Sequence, residues 1–128
     1  MKRSNPESGA WTVVLPWPDK RLHPNARVHW ARKACATSVA REQGFLCGIS
    51  AGLKRAKLLA DAKLDVTAIF SPPDNRRRDT DGMLSSCKAY FDGISDACGV
   101  DDANWTLHMR REEPVKHGQV RIEIEVVK

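Results

Sequence analysis

The chain has 128 residues, 41% hydrophobic and 29% charged, with a net charge of +5. That length supports one core, because two halves would each be too short to bury enough apolar surface, and the composition lies outside that of chains which stay disordered. The positive balance favours an anionic partner, and it is concentrated: between Arg27 and Lys57 seven lysines and arginines stand against Glu42 alone.

The opening "MKRSNPESGAW" contains no apolar stretch of the signal-peptide kind, and no run in the chain approaches the length of a membrane span. A cytoplasmic protein with no membrane partner is expected, with residues 1–10 a flexible arm. Cys35, Cys47, Cys87 and Cys98 show no CxxC spacing, so reduced thiols are expected rather than disulfides or a zinc site.

In "WTVVLPW" the residues Trp11, Val13, Leu15 and Trp17 alternate, which predicts a half-buried strand, and Pro16 and Pro18 place it at an edge or end it. Pro24 and Asn25 mark a turn before a helix from about Arg27 or Val28 to Cys47. After a glycine-punctuated connector, "KLDVTAIF" alternates Leu64, Val66, Ala68 and Phe70 and predicts a second strand, stopped by Pro72-Pro73. Leu84, Cys87, Phe91, Ile94 and Cys98 form one apolar stripe, so a helix is expected over Asp81 to Ala97, with Gly99 ending it. Asp81, Ser85, Lys88 and Asp92 fall on the opposite, polar line of that helix. Two last strands, carrying Trp105, Leu107 and Met109 and then Val120, Ile122, Ile124 and Val126, are expected to form a hairpin around "EEPVKHGQ". The tryptophans read as core residues, except Trp30 in the basic helix. The pattern is that of an α+β domain of order β-α-β-α-β-β, a mixed sheet with two main helices.

The chemistry concentrates in "PPDNRRRDTDG", residues 72–82. Asp79 and Asp81, two apart, share a side only of an extended chain, so their carboxylates converge only if the helix begins at or after Asp81. Asp101 or Asp102 of the returning "VDD" turn would be a third acid. Carboxylates without soft ligands suit a hard ion, Mg²⁺ or Mn²⁺. Arg76, Arg77 and Arg78 would repel a free ion but suit one shared with a phosphate; the bland alternative is a solvated loop in which they pair with Asp74, Asp79 and Asp81. Lys88, two turns beyond Asp81, could reach back toward the helix start or pair with Asp92 one turn on. His23, His29, His108 and His117 sit beside no nucleophile signature, and neither a P-loop nor GxGxxG is present.

Taken together, "SPPDNRRRDTDG", "KAYFDGISDACG", "VDD" and the opening "LPWPDKRLHPNARVHW" resemble the RusA family of Holliday-junction resolvases, small endodeoxyribonucleases frequent in phages and prophages, over nearly the whole chain. The resemblance implies a homodimer acting on branched DNA, in particular the four-way junction. It implies Mg²⁺ held by Asp79, Asp81 and Asp102, with Lys88 as the catalytic lysine. Two positions depart from the family pattern: Gly82 stands where asparagine is usual, and Ser85 occupies the nearer position at which the best-known member has its lysine. Arg76, Arg77 and Arg78, together with Asn25, Arg27, Arg32 and Lys33, are expected to hold backbone phosphates, which orient the DNA without reading sequence. The expected activity is Mg²⁺-dependent cleavage of branched DNA, and the alternative is a junction-binding protein that keeps the fold and has lost the chemistry.

Overall fold

The structure, a computed structural model, describes residues 9–127. The expected flexible arm lies outside the described residues except for Gly9 and Ala10, and Ala10 already opens the first strand. In chain order the elements are β1 (Ala10–Pro16), α1 (Trp30–Ser50), β2 (Leu64–Ser71), α2 (Thr80–Ser86), α3 (Lys88–Cys98), β3 (Trp105–Arg111) and β4 (Gln119–Val126). The sheet has four strands in the order β1-β4-β2-β3. It is mixed: β4 runs antiparallel to both β1 and β2, while β3 runs parallel to β2. The α+β class expected from the sequence is the observed one.

The alternating patterns place the core. In β1 and β4 the apolar set Trp11, Val13, Leu15, Val120, Ile122 and Ile124 is buried and the intervening residues reach solvent or its edge. As expected from its prolines, β1 is an edge strand and ends at Pro16. Interior β2 is buried more completely, with Ile69 and Ser71 covered as well as its alternate residues.

α1 begins two or three residues later than the pattern suggested, because the His29 ring accepts the Ala31 N–H and fixes the helix start there. Toward α3 it buries only Ala36, Ala40, Gly44 and Gly48, a ridge of small residues at steps of four. Small side chains let two helices approach closely: a Cβ on Gly93 of α3 would collide with the Arg41 carbonyl oxygen, and one on Gly44 with that of Tyr90. The mid-helix glycine thus serves packing inside the domain. Gly99, at φ 75°, closes α3 in the left-handed conformation that glycine adopts without strain.

Two expectations are corrected. The last two strands form no hairpin, since β2 lies between β3 and β4. Side-chain alternation defines a strand and leaves its neighbour open. Here β3 exposes Thr106, Leu107 and His108 and takes the edge, while β4 pairs along both sides, with β1 and with β2. The connection 112–118 crosses the end of β2 and is tied there, Glu112 N–H to the Phe70 carbonyl and Val115 N–H to that of Pro72. The second helix is also not continuous. It breaks at Cys87 (φ −98°, ψ 3°), where the buried Ser86 hydroxyl donates to the Gly82 carbonyl four residues back, a side-chain bond that competes with helix geometry. Asp81 and Ser85 therefore belong to α2, and Lys88 and Asp92 to α3.

Candidate functional site

β1, β2 and β3 all run the same way, so the loops leaving β1 and β2 emerge at one end of the sheet. Between these loops lies a cleft of about 620 Å³, lined from the first by Trp17, Lys20 and His23 and from the second by Arg76, Arg77, Arg78 and Asp79. A smaller groove lined by Asn25 and Arg27 shares Lys20 and His23 with it, which makes one continuous cationic surface. Arg32 and Lys33, in the first turns of α1, line neither.

The three arginines are not equivalent. Arg78 is largely covered: its guanidinium bonds Asp74 at 2.9 Å, donates to the Asp74 and Arg76 carbonyls, and lies over the Trp17 ring at 5.4 Å. Asp74 accepts the Arg76 N–H and the Arg78 guanidinium, and these hold its carboxyl below the usual range. Arg111, at the end of β3, donates to the Arg78 carbonyl at 2.6 Å and fixes the loop from the sheet side. Among the described residues no arginine of the loop pairs with Asp79 or Asp81. Charge within the loop is satisfied by Asp74, which leaves Arg76 and Arg77 exposed to solvent and both later carboxylates without a cationic partner among the described residues.

Asp79 is the extended N-cap residue of α2, and its side chain makes no capping bond. The helix starts at Thr80, so Asp81 sits in the first turn rather than at the cap. Gly82 is buried, and a Cβ there would lie 2.6 Å from both Asp79 Oδ1 and His23 Nε2.

The remaining expected residues gather elsewhere. Lys88 Nζ bridges Asp102 Oδ2 at 2.8 Å and Asp92 Oδ1 at 3.0 Å. The bridge holds the Asp102 carboxyl below its usual range and raises the Lys88 ammonium above its own, in each case chiefly through the Lys88–Asp102 bond. Lys88 thus points forward along α3 and not back toward Asp81. Asp101 caps the turn that follows by accepting the Ala103 N–H at 2.8 Å. Asp102 lies just before β3, whereas the 78–80 loop is tied to Arg111 at its end, so the two meet opposite ends of a strand roughly 20 Å long at ~3.3 Å per residue. Among the described residues no three histidine, cysteine or acidic side chains assemble a metal-holding group. Asp79 and Asp81 are hard oxygen donors suited in kind to Mg²⁺, but as placed the three aspartates do not form one ion site.

Sequence reasoning passed over Lys20, His23 and Arg111. For His23 the signal was Gly82: an absent side chain beside two acids leaves a volume that some other side chain fills. Among the described residues no helix is long and apolar enough to cross a membrane. The four cysteines are free thiols, with Cys87 and Cys98 buried and Cys35 exposed, and burial pushes the Cys87 thiol up to about 12.

No family model matches the chain. It is 42% identical over 114 residues to an uncharacterized protein of Xylella fastidiosa (strain Temecula1 / ATCC 700964), a match covering 88% of this chain and 74% of that protein. At that identity and coverage the chain belongs to the same family as this Xylella protein.

Proposed function

We propose that the protein is a cytoplasmic, Mg²⁺-dependent endodeoxyribonuclease of the RusA type that cuts branched DNA, acting as a homodimer on four-way junctions. The observation that carries this reading is the cleft at the strand ends, in which Asp79, without a cationic partner among the described residues, stands beside the exposed Arg76 and Arg77. Arginine and lysine on its walls bind phosphodiester oxygens, and the guanidinium fork also orients the group it binds. The continuation past His23 to Asn25 and Arg27 gives the backbone a path on from the cleft. Metal dependence rests on the Asp-x-Asp motif and the resemblance it carries. Two symmetric cuts in a four-way junction call for a two-fold assembly.

A second reading, junction binding without cleavage, is favoured by one observation: Asp102 is engaged by Lys88 and forms no metal-holding group with Asp79 and Asp81 among the described residues. Both readings give salt-sensitive binding. Incubation of the purified protein with synthetic junction, flap and linear duplex, with and without Mg²⁺ or Mn²⁺, separates them. The nuclease cuts the junction only with metal, and Asp79→Asn or Asp81→Asn lowers cleavage about 100-fold or more while leaving binding in place. Intact junctions that are nevertheless bound support the second reading, and absence of binding at low salt ends both.

A further inference from the structure

The strongest feature outside the roles given so far is the packing of His23 Nε2 and Asp79 Oδ1 around the space where a Gly82 side chain would stand. His23 follows the short helical turn Lys20–Leu22, 59 positions before Gly82, and three bonds fix it. Its N–H donates to the Lys20 carbonyl, its carbonyl accepts from the Ala26 N–H at 2.9 Å, and its Nδ1 accepts the Asn25 N–H at 3.0 Å. With Nδ1 used as acceptor, the neutral ring carries its proton on Nε2. That nitrogen lies 2.6 Å from the point where a Gly82 Cβ would stand, the same distance as Asp79 Oδ1. Both atoms occupy space that any side chain at 82 would need. Asp79 has neither a capping bond nor an ion pair among the described residues to hold its carboxylate.

We propose that His23 is a positioning residue for Asp79: the imidazole fills the volume left by Gly82, confines the Asp79 carboxylate to the cleft wall, and offers it an N–H through one water. Glycine at 82 is therefore a requirement of the site and not a loss from it. The loop after β1 thereby completes a site whose charged groups come from the loop after β2. A water-bridged hydrogen bond to a carboxylate orients it at small entropic cost, and a misplaced reacting group costs rate more than affinity.

The proposal rests on the reading of Asp79 as a working residue of the cleft, and its test has an arm that needs no activity. In the full-length protein labelled with ¹³C at aspartate, His23→Ala moves the Asp79 carboxyl resonance at fixed pH and leaves that of Asp96, bound to Arg41 at the far helix pair, unchanged. In junction cleavage His23→Ala lowers kcat by about 10- to 100-fold with KM little altered, and His23→Gln, which keeps an N–H donor, recovers part of the loss. Gly82→Ala lowers activity as well, and the double variant with His23→Ala loses less than the two single effects combined, because the methyl group then has room. An Asp79 resonance that stays in place in His23→Ala, or losses that simply add, overturns the proposal. If wild-type protein leaves junctions uncut, the nuclease reading fails while the carboxyl resonance still decides the role of His23, and that measurement does not require Gly82→Ala to fold.

Discussion

Lys88 shows how one side chain can hold two carboxylates at once. Its helical pairing with Asp92 is the ordinary i to i+4 contact, and its bond to Asp102 is the long-range one that brings the acidic turn against α3. Asp102 has its carboxyl lowered, so its share of stability is present above the ordinary carboxylate range and is lost as pH falls through the lowered value. Lys88 is raised, so its share is present below the ordinary lysine range and is lost as pH rises through the raised value. The bridge is therefore complete across neutral pH. Lys88→Met should move the Asp102 titration midpoint upward in carboxyl NMR, with little change in melting temperature at pH 7, since both partners are substantially exposed and water screens the pair. An unmoved midpoint would mean that the bridge does not form in solution.

Among the elements, the pairing of α1 with α3 depends most on residue size. Gly93 is mid-helix, where glycine costs about 1 kcal/mol relative to alanine, so on helix propensity alone Gly93→Ala should stabilise. Packing reverses the sign. The added methyl would meet the Arg41 carbonyl and lie 2.6 Å from the Phe45 nitrogen, both backbone atoms that move only with the whole helix. Gly93→Ala should cost about 3 kcal/mol or more and lower the melting temperature on the order of 10 °C, measured by calorimetry. The break between α2 and α3 was not legible for a related reason. The apolar stripe Leu84, Cys87, Phe91 runs unbroken through it, and the Ser86 bond to the Gly82 carbonyl that bends the chain leaves no mark in periodicity.

At the scale of the whole molecule, the proposed function predicts that the cationic surface at the strand ends dominates DNA affinity. Arg76 and Arg77 are exposed, so replacing both with alanine should leave stability unchanged and make the slope of log K against log salt shallower by about 2. Arg78 should behave differently. Its guanidinium is committed to Asp74, two carbonyls and the Trp17 ring, so Arg78→Ala should lower the melting temperature and weaken binding indirectly by loosening the loop. Titrations of labelled junction at several salt concentrations, paired with thermal melts, distinguish the two cases.

Local pattern determined much of this protein by itself. Alternating apolar residues fixed all four strands within a residue or two, the Pro16 edge, the two helical regions and the Gly99 cap, because side-chain burial repeats with backbone period and needs no knowledge of the partner. It also drew attention to residues 72–82, and the structure places the three arginines and Asp79 of that stretch in one cleft. Tertiary structure alone decided which strands are neighbours, because alternation is the same whether β3 lies beside β4 or beside β2. It decided which charges meet, pairing Asp74 rather than Asp79 or Asp81 with the arginines and Asp102 with Lys88. It also brought His23 against Gly82 across 59 positions of sequence, a contact made by the ends of two parallel-running strands and written in neither loop alone.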